Sequence, residues 1–182
     1  TLAEVMAGAD VFIAVSGADL LSAHMLEVMR ERPIVFALSN PDPEIHPTFA
    51  KTVRQDLIIA TGRSDFPNQV NNVLCFPFIF RGALDVEARQ INSSMMLAAV
   101  EGIRSLAKQP VPEVVLKGYG LTEPLEFGSD YILPKPTDPR LMDVVAPMVA
   151  AAAIESGVAR KKYPAHYPKK FNPSKEEEAL SV

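Results

Sequence analysis

The chain has 182 residues, 48% hydrophobic and 22% charged, a balance that fits a soluble globular domain with a sizeable core. Its formal net charge of -4 offers no basic footprint for nucleic acid, and no apolar run is long enough to span a bilayer. A single cysteine, Cys75, excludes an intrachain disulfide framework and fits a reducing, cytoplasmic setting.

The sequence opens at Thr1 without an initiator Met, on a segment where Leu2, Val5 and Met6 share one helical face and Gly8 ends the turn. A start inside such a helix reads as a fragment or a processed product. Residues 10–15 form a short apolar run closing on Ser16-Gly17, the pattern of a strand buried on both faces. A helix follows, with Asp19 or Ser22 as candidate N-cap and Leu21, Met25, Leu26, Val28 and Met29 as apolar positions. Pro33 breaks it, and residues 34–38 read as a second buried strand ending at Ser39-Asn40. The Pro-rich turn 40–44 leads into a short helix over 49–54. Residues 57–60 then read as a third strand, ending at Thr61-Gly62. This alternation implies right-handed crossovers and a parallel sheet with helices on both faces.

Beyond Gly62, the polar segment 63–72 precedes a largely buried helix over 73–87, with Pro77 near its start. A second amphipathic helix spans 94–108, and the stretch from Pro110 shows no regular pattern. Asp138-Pro139 opens a helix to about Ser156, with Gly157 as its stop. Residues 1–159 therefore read as one α/β unit, and residues 160–182 as a charged tail, mobile or draped on a partner.

In an open parallel sheet, ligands bind in the crevice at the carboxyl ends of the strands. The three strands end in small or polar residues, and the loop closing on Asn71-Asn72 leaves the same edge. The candidate binding residues are therefore Ser16, Gly17, Asn40, Asn71 and Asn72. A carboxamide both donates and accepts hydrogen bonds. It can hold a carboxylate, a hydroxyl or a nicotinamide amide without adding charge. A structural role stays open for each: Asn40 before Pro41 suits a turn, and Asn72 suits a helix cap. Arg63 is expected to pair with Asp65 or a neighbouring segment, and Arg81 to meet carbonyls or a carboxylate. His24, His46 and His166 are scattered without a Cys or acidic cluster, so no metal site is expected in this chain. Ser16 lacks the frame of a nucleophile elbow, and Cys75 reads as a buried core thiol. Neither Gly-x-Gly-x-x-Gly nor a Walker sequence occurs, so the usual pyrophosphate-binding turn is missing.

Several stretches carry a family likeness: residues 8–17, 33–44 (ending Ser39-Asn40-Pro41-Asp42-Pro43-Glu44), 61–86 and 127–141. The most specific is Thr61-Gly62-Arg63-Ser64-Asp65-Phe66-Pro67-Asn68-Gln69-Val70-Asn71-Asn72. Together they resemble the bacterial type of malic enzyme, from the first residue to about Ala159. Departures are mild: Ala18-Asp19 stands where the family often has Pro-Gly, and Thr137 where an aromatic is common. The resemblance implies the C-terminal half of a Rossmann-like, doubly wound parallel sheet with flanking helices. It also implies oxidation of L-malate by NAD or NADP, followed by metal-assisted decarboxylation to pyruvate and CO2. Asn40 and the pair Asn71 and Asn72 would then contact malate or the nicotinamide end. The family's general-base Lys, its Tyr acid, its acidic metal ligands and its glycine-rich turn precede the matched part. No catalytic residue and no ligand for the divalent cation, Mg or Mn, is therefore expected here. The resemblance further implies a missing N-terminal half or another subunit, and a homo-oligomer. A different class of reading is a non-catalytic interaction or regulatory module derived from the same fold.

Overall fold

The computed structural model describes residues 1–173, which divide into two compact units. The first comprises Thr1–Asn71 with Glu126–Leu133, and the second Asn72–Leu125 with the chain from Pro134 onward. The division falls between Asn71 and Asn72, inside what the sequence presents as one unit.

The first unit contains a helix α1 (Leu2–Met6), then β1 (Val11–Ala14), α2 (Ala23–Glu27), β2 (Ile34–Ala37), α3 (Pro47–Val53) and β3 (Ile58–Thr61). The three strands are parallel in the order β1-β2-β3, with Phe12, Val35 and Ile59 in one row of the register. That row joins Leu26, Met29 and Ala50 from the α2 and α3 segments in a single buried cluster. Side chains alternate across a strand, so the Val11–Ile34–Ile58 row lies on the other face. Here the expectation of a first strand buried on both faces is corrected: Val11 is 48% and Ile13 66% exposed. The cause is that the crossover helices α2 and α3 pack on each other and on the same row of the sheet.

Local chemistry explains the boundaries. Ser22, one of the two N-cap candidates, accepts a hydrogen bond from Met25 N at 3.4 Å, while Asp19 sits in a left-handed turn with φ 57°. Past α3, the Arg54 guanidinium donates to the carbonyls of Leu26, Met29 and Arg30, satisfying the open end of α2. Asp56 steadies that guanidinium through two bonds, at 2.8 and 2.7 Å. Asn68 is buried and ties three strands of chain together. Its Nδ2 donates to Ile59 O (2.9 Å) and Ser129 O (2.7 Å), and its Oδ1 accepts from Ile132 N (2.9 Å).

The second unit is helical: α4 (Phe78–Asp85), α5 (Ser93–Ala107), α6 (Glu113–Gly118) and α7 (Arg140–Glu155). The helix expected over 73–87 is split. A single 3-10 turn spans Asn72–Leu74, and α4 begins only after Pro77. Proline has no N–H to donate and disfavours helical backbone in the residue before it. The stretch after Pro110, without pattern in the sequence, holds α6, with Pro112 at its N-cap and Glu113 in its first turn. Helix α7 packs against both α4 and α5. Two glycines permit the approach: a Cβ on Gly82 would meet the Ala146 carbonyl and Val149, and one on Gly102 would meet Met148 and Val145. Asp138 accepts from Arg140 N at 3.0 Å at the start of α7. At its end Gly157 takes φ 69°, with Val158 N donating to Ala153 O and Gly157 N to Ile154 O.

Of the expected charged tail, residues 160–173 include Tyr167, which is buried and donates its hydroxyl to Asp85 at 2.7 Å. Residues 174–182 lie outside the described residues. Among the described residues, no helix is long and apolar enough to cross a membrane.

Candidate functional site

The parallel strands of the first unit deliver three loops to one rim: Ser16-Gly17 after β1, Ser39-Asn40 after β2, and Thr61-Gly62 after β3. Ser16, Gly17 and Asn40 are exposed there. A Cβ built on Gly17 meets nothing within 4 Å, so the main chain is open to close approach by a ligand. The Asn40 carboxamide rests on Gly62, where a Cβ would lie 3.1 Å from Asn40 Oδ1 and 3.4 Å from Nδ2. The space left by the glycine is the space the carboxamide uses.

Beneath the rim lies a residue that sequence reasoning passed over. Glu44 is fully buried, and its Oε1 accepts from Ser16 N at 2.8 Å and Ser16 Oγ at 2.9 Å. Its Oε2 accepts from Ser39 N at 3.1 Å. Burial pushes the Glu44 carboxyl up, but donation from the Ser16 and Ser39 backbone and the Ser16 hydroxyl outweighs it and leaves the group below its ordinary value. The main chain adds Leu21 N to Glu44 O at 2.9 Å and Asp19 N to Pro43 O at 3.2 Å, closing the β1 loop onto the β2 loop. The Ser16 hydroxyl proton is thus committed to Glu44, and its oxygen remains as an acceptor. No side-chain pattern in the sequence marks Glu44, because its partners are mainly backbone N–H groups.

Arg63 joins the next pair of loops. Its guanidinium binds Asp65 at 2.9 and 2.7 Å, as expected, and reaches Asp42 in the β2 loop at 3.4 Å. It also lies over the Phe66 ring at 5.3 Å, and Phe66 meets His46 edge-on at 4.9 Å. Hydrogen bonding to Arg63 holds the Asp65 carboxyl below its ordinary range. The chain then returns to β3, where Val70 N donates to Thr61 O at 2.8 Å, and Asn71 closes the first unit one residue later.

Asn40 and Asn71 therefore belong to one unit: Asn40 rests on Gly62, and Asn71 follows Val70, whose N–H donates to Thr61 O. Asn72 opens the second unit. It is exposed, and its backbone oxygen accepts from Cys75 N at 3.1 Å and Phe76 N at 2.8 Å. Cys75 is half-buried rather than the core thiol expected, and partial burial pushes its thiol up, which does not suit a nucleophile. Arg81 meets a carboxylate, Asp85, at 2.7 Å.

Chemically, the rim offers the uncharged Asn40 carboxamide, a hydroxyl oxygen and an open glycine backbone. Such a surface suits the amide of a nicotinamide ring or a hydroxy acid. Among the described residues, no three His, Cys, Asp or Glu side chains are grouped to hold a metal ion.

Residues 2–116 match the family model described as malic enzyme, NAD binding domain. The chain is 56% identical over 170 residues to a protein of Halomonas elongata named NADP-dependent malic enzyme, covering 93% of this chain and 40% of that protein. It is 57% identical over 161 residues to the Escherichia coli protein of the same name, covering 88% of this chain and 21% of that one. Among solved structures, the malic enzyme of Pyrococcus horikoshii superposes with a TM-score of 0.74 at 41% identity. That match covers 88% of this chain and 34% of the other. The chain thus spans well under half the length of the relatives it matches.

Proposed function

The chain belongs to the malic enzyme family by its NAD-binding domain, and we propose that it supplies the nicotinamide- and substrate-facing rim of a malate oxidoreductase. The reaction is conversion of L-malate to pyruvate and CO2 with reduction of NAD or NADP. The observation that carries this reading is the exposed Asn40 carboxamide seated on Gly62 at the carboxyl rim of a parallel sheet.

A nicotinamide held at this rim by Asn40 would supply the acceptor for the hydride from C2 of malate. Asn40 and Asn71, of the first unit, bind and orient the ligands, donating from Nδ2 and accepting at Oδ1. Gly17 lets the ligand approach the backbone, and the Ser16 oxygen accepts. These groups are themselves neutral, so they add no charge of their own beside the nicotinamide. The residues present fit the nicotinamide end only: no glycine-rich turn exists here for the pyrophosphate. Among the described residues, none is grouped to hold the divalent cation, Mg or Mn, that would assist decarboxylation. That cation, the base taking the hydroxyl proton and the missing half of the fold belong to residues or a chain beyond these 182.

The test uses the longest reading frame that contains residues 1–182, assayed for malate-dependent formation of reduced NAD or NADP. Turnover is expected, and Asn40→Ala should lower kcat/KM on the order of tenfold to a hundredfold, the worth of one or two oriented hydrogen bonds. Residues 1–182 alone should give none. Absence of turnover in the long frame, or an Asn40→Ala variant with unchanged kcat/KM, sinks the reading.

A further inference from the structure

We propose that Glu44 is the positioning residue of the rim, fixing Ser16 and Asn40 in the geometry that meets the ligand; this rests on the reading given above. A buried carboxylate is costly unless its charge is answered. Among the described residues no cation answers Glu44. Instead two oxygens receive three donors from two separate loops: Ser16 N and Oγ on one side, Ser39 N on the other.

The reach of these bonds is what separates positioning from ordinary packing. Ser16 lies 28 residues from Glu44 in sequence and Ser39 only five, so one side chain joins the end of β1 to the end of β2. Ser39 immediately precedes Asn40, so the bond from Ser39 N fixes the Leu38–Ser39 peptide, one residue before the Cα that carries the Asn40 side chain. Asn40 in turn rests on Gly62, which leaves it room without a wall to hold it. Its direction must come from its backbone, and Glu44 is the side chain bonded to that backbone one residue before it. An amide cannot replace the carboxylate. Glutamine would present one oxygen and one NH2, and the NH2 would face a backbone N–H as donor against donor. An apolar residue would fill the space and leave Ser16 N, Ser16 Oγ and Ser39 N without their acceptor.

A double-mutant cycle in the longest frame tests this, using Glu44→Gln and Asn40→Ala, with kcat/KM for malate measured well below each variant's unfolding midpoint. Glu44→Gln alone should lower kcat/KM about tenfold or more. In the Asn40→Ala background the same change should cost less than about twofold, because the group it positions is gone. A second reading needs no turnover: amide hydrogen exchange of residues 1–182. Ser16 and Ser39 should exchange at least about tenfold faster in Glu44→Gln, while Gly157 and Val158 exchange as in the parent. If Glu44→Gln does not fold, Glu44→Asp enters the same cycle, since it keeps the charge and loses one methylene of reach. Multiplicative losses in the cycle, or unchanged exchange at Ser16 and Ser39, overturn the proposal while leaving the malate reading intact. An inert Asn40→Ala removes the malate reading itself, and with it the group Glu44 would position.

Discussion

Four of the five buried polar or charged side chains among the described residues, Ser39, Glu44, Thr61 and Asn68, belong to the first unit, and only Asp138 to the second. The first unit is made of four-residue strands whose ends carry loops. The second is centred on α7, of whose 16 residues ten are buried and all ten are apolar. In the first, hydrogen bonds of fixed direction place the loops. In the second, small side chains bring helix backbones together, and directionless apolar burial supplies cohesion. Orientation at a rim needs the first kind of interaction, since apolar packing fixes volume better than it fixes the aim of an amide.

The largest expected effect falls on the helical unit. At Gly82 a Cβ would come within 2.9 Å of Val149 Cβ and press on the Ala146 carbonyl. Backbone cannot swing aside as a side-chain tip does. Gly82→Val should cost about 3 kcal/mol or more, an overpacking penalty at the high end. Thermal unfolding followed by circular dichroism measures it, and a variant within ~1 kcal/mol of the parent would refute the close helix approach.

A smaller effect separates the units by pH. Glu44 has its folded value held below the ordinary 4.5, so its contribution to stability is present above that value and is lost as pH falls through the folded one. Asp85 in the second unit behaves likewise: burial raises it, and bonds from Arg81 and Tyr167 outweigh that. Glu44→Gln removes only the first of these contributions. The gap in unfolding midpoint between parent and variant should be widest above about pH 5 and narrow steadily below it. A gap that is constant with pH would mean that Glu44 does not carry its charge in the fold.

Much of this contrast was legible in the sequence. The runs ending in Ser16-Gly17, Asn40 and Thr61-Gly62 gave the strand order and the rim, because apolar periodicity reports directly on burial. Arg63 and Asp65, two residues apart, were expected to pair and do. Asp138 and Gly157 marked the ends of α7 by their own backbone chemistry. Other features were not legible, for a common reason. Glu44 bonds to backbone N–H groups, which every sequence contains and no side-chain pattern marks. The exposed face of β1 depends on which row of side chains α2 and α3 happen to cover. The apolar residues around Pro77 read as one helix, although the proline divides it into a 3-10 turn and α4.

The smallest expected effect on stability comes from the other close glycine. At Gly62 the nearest atoms to an added Cβ are the tip of Asn40, at 3.1 and 3.4 Å, and not backbone. The carboxamide can move a few tenths of an ångström and remain exposed. Replacing glycine by alanine also lowers the entropy of the unfolded chain, an effect of about 0.4 to 1 kcal/mol in favour of folding where the backbone permits. Gly62→Ala should therefore unfold at or slightly above the parent's midpoint. Catalysis by the longest frame should nevertheless fall several-fold, because orientation at a reacting centre tolerates shifts well below about 1 Å poorly. Filling the space at a close glycine thus breaks stability in one unit and aim in the other. If Gly62→Ala lost stability while keeping kcat/KM, the space over Gly62 would be a packing contact, and Asn40 would not be held there for a ligand.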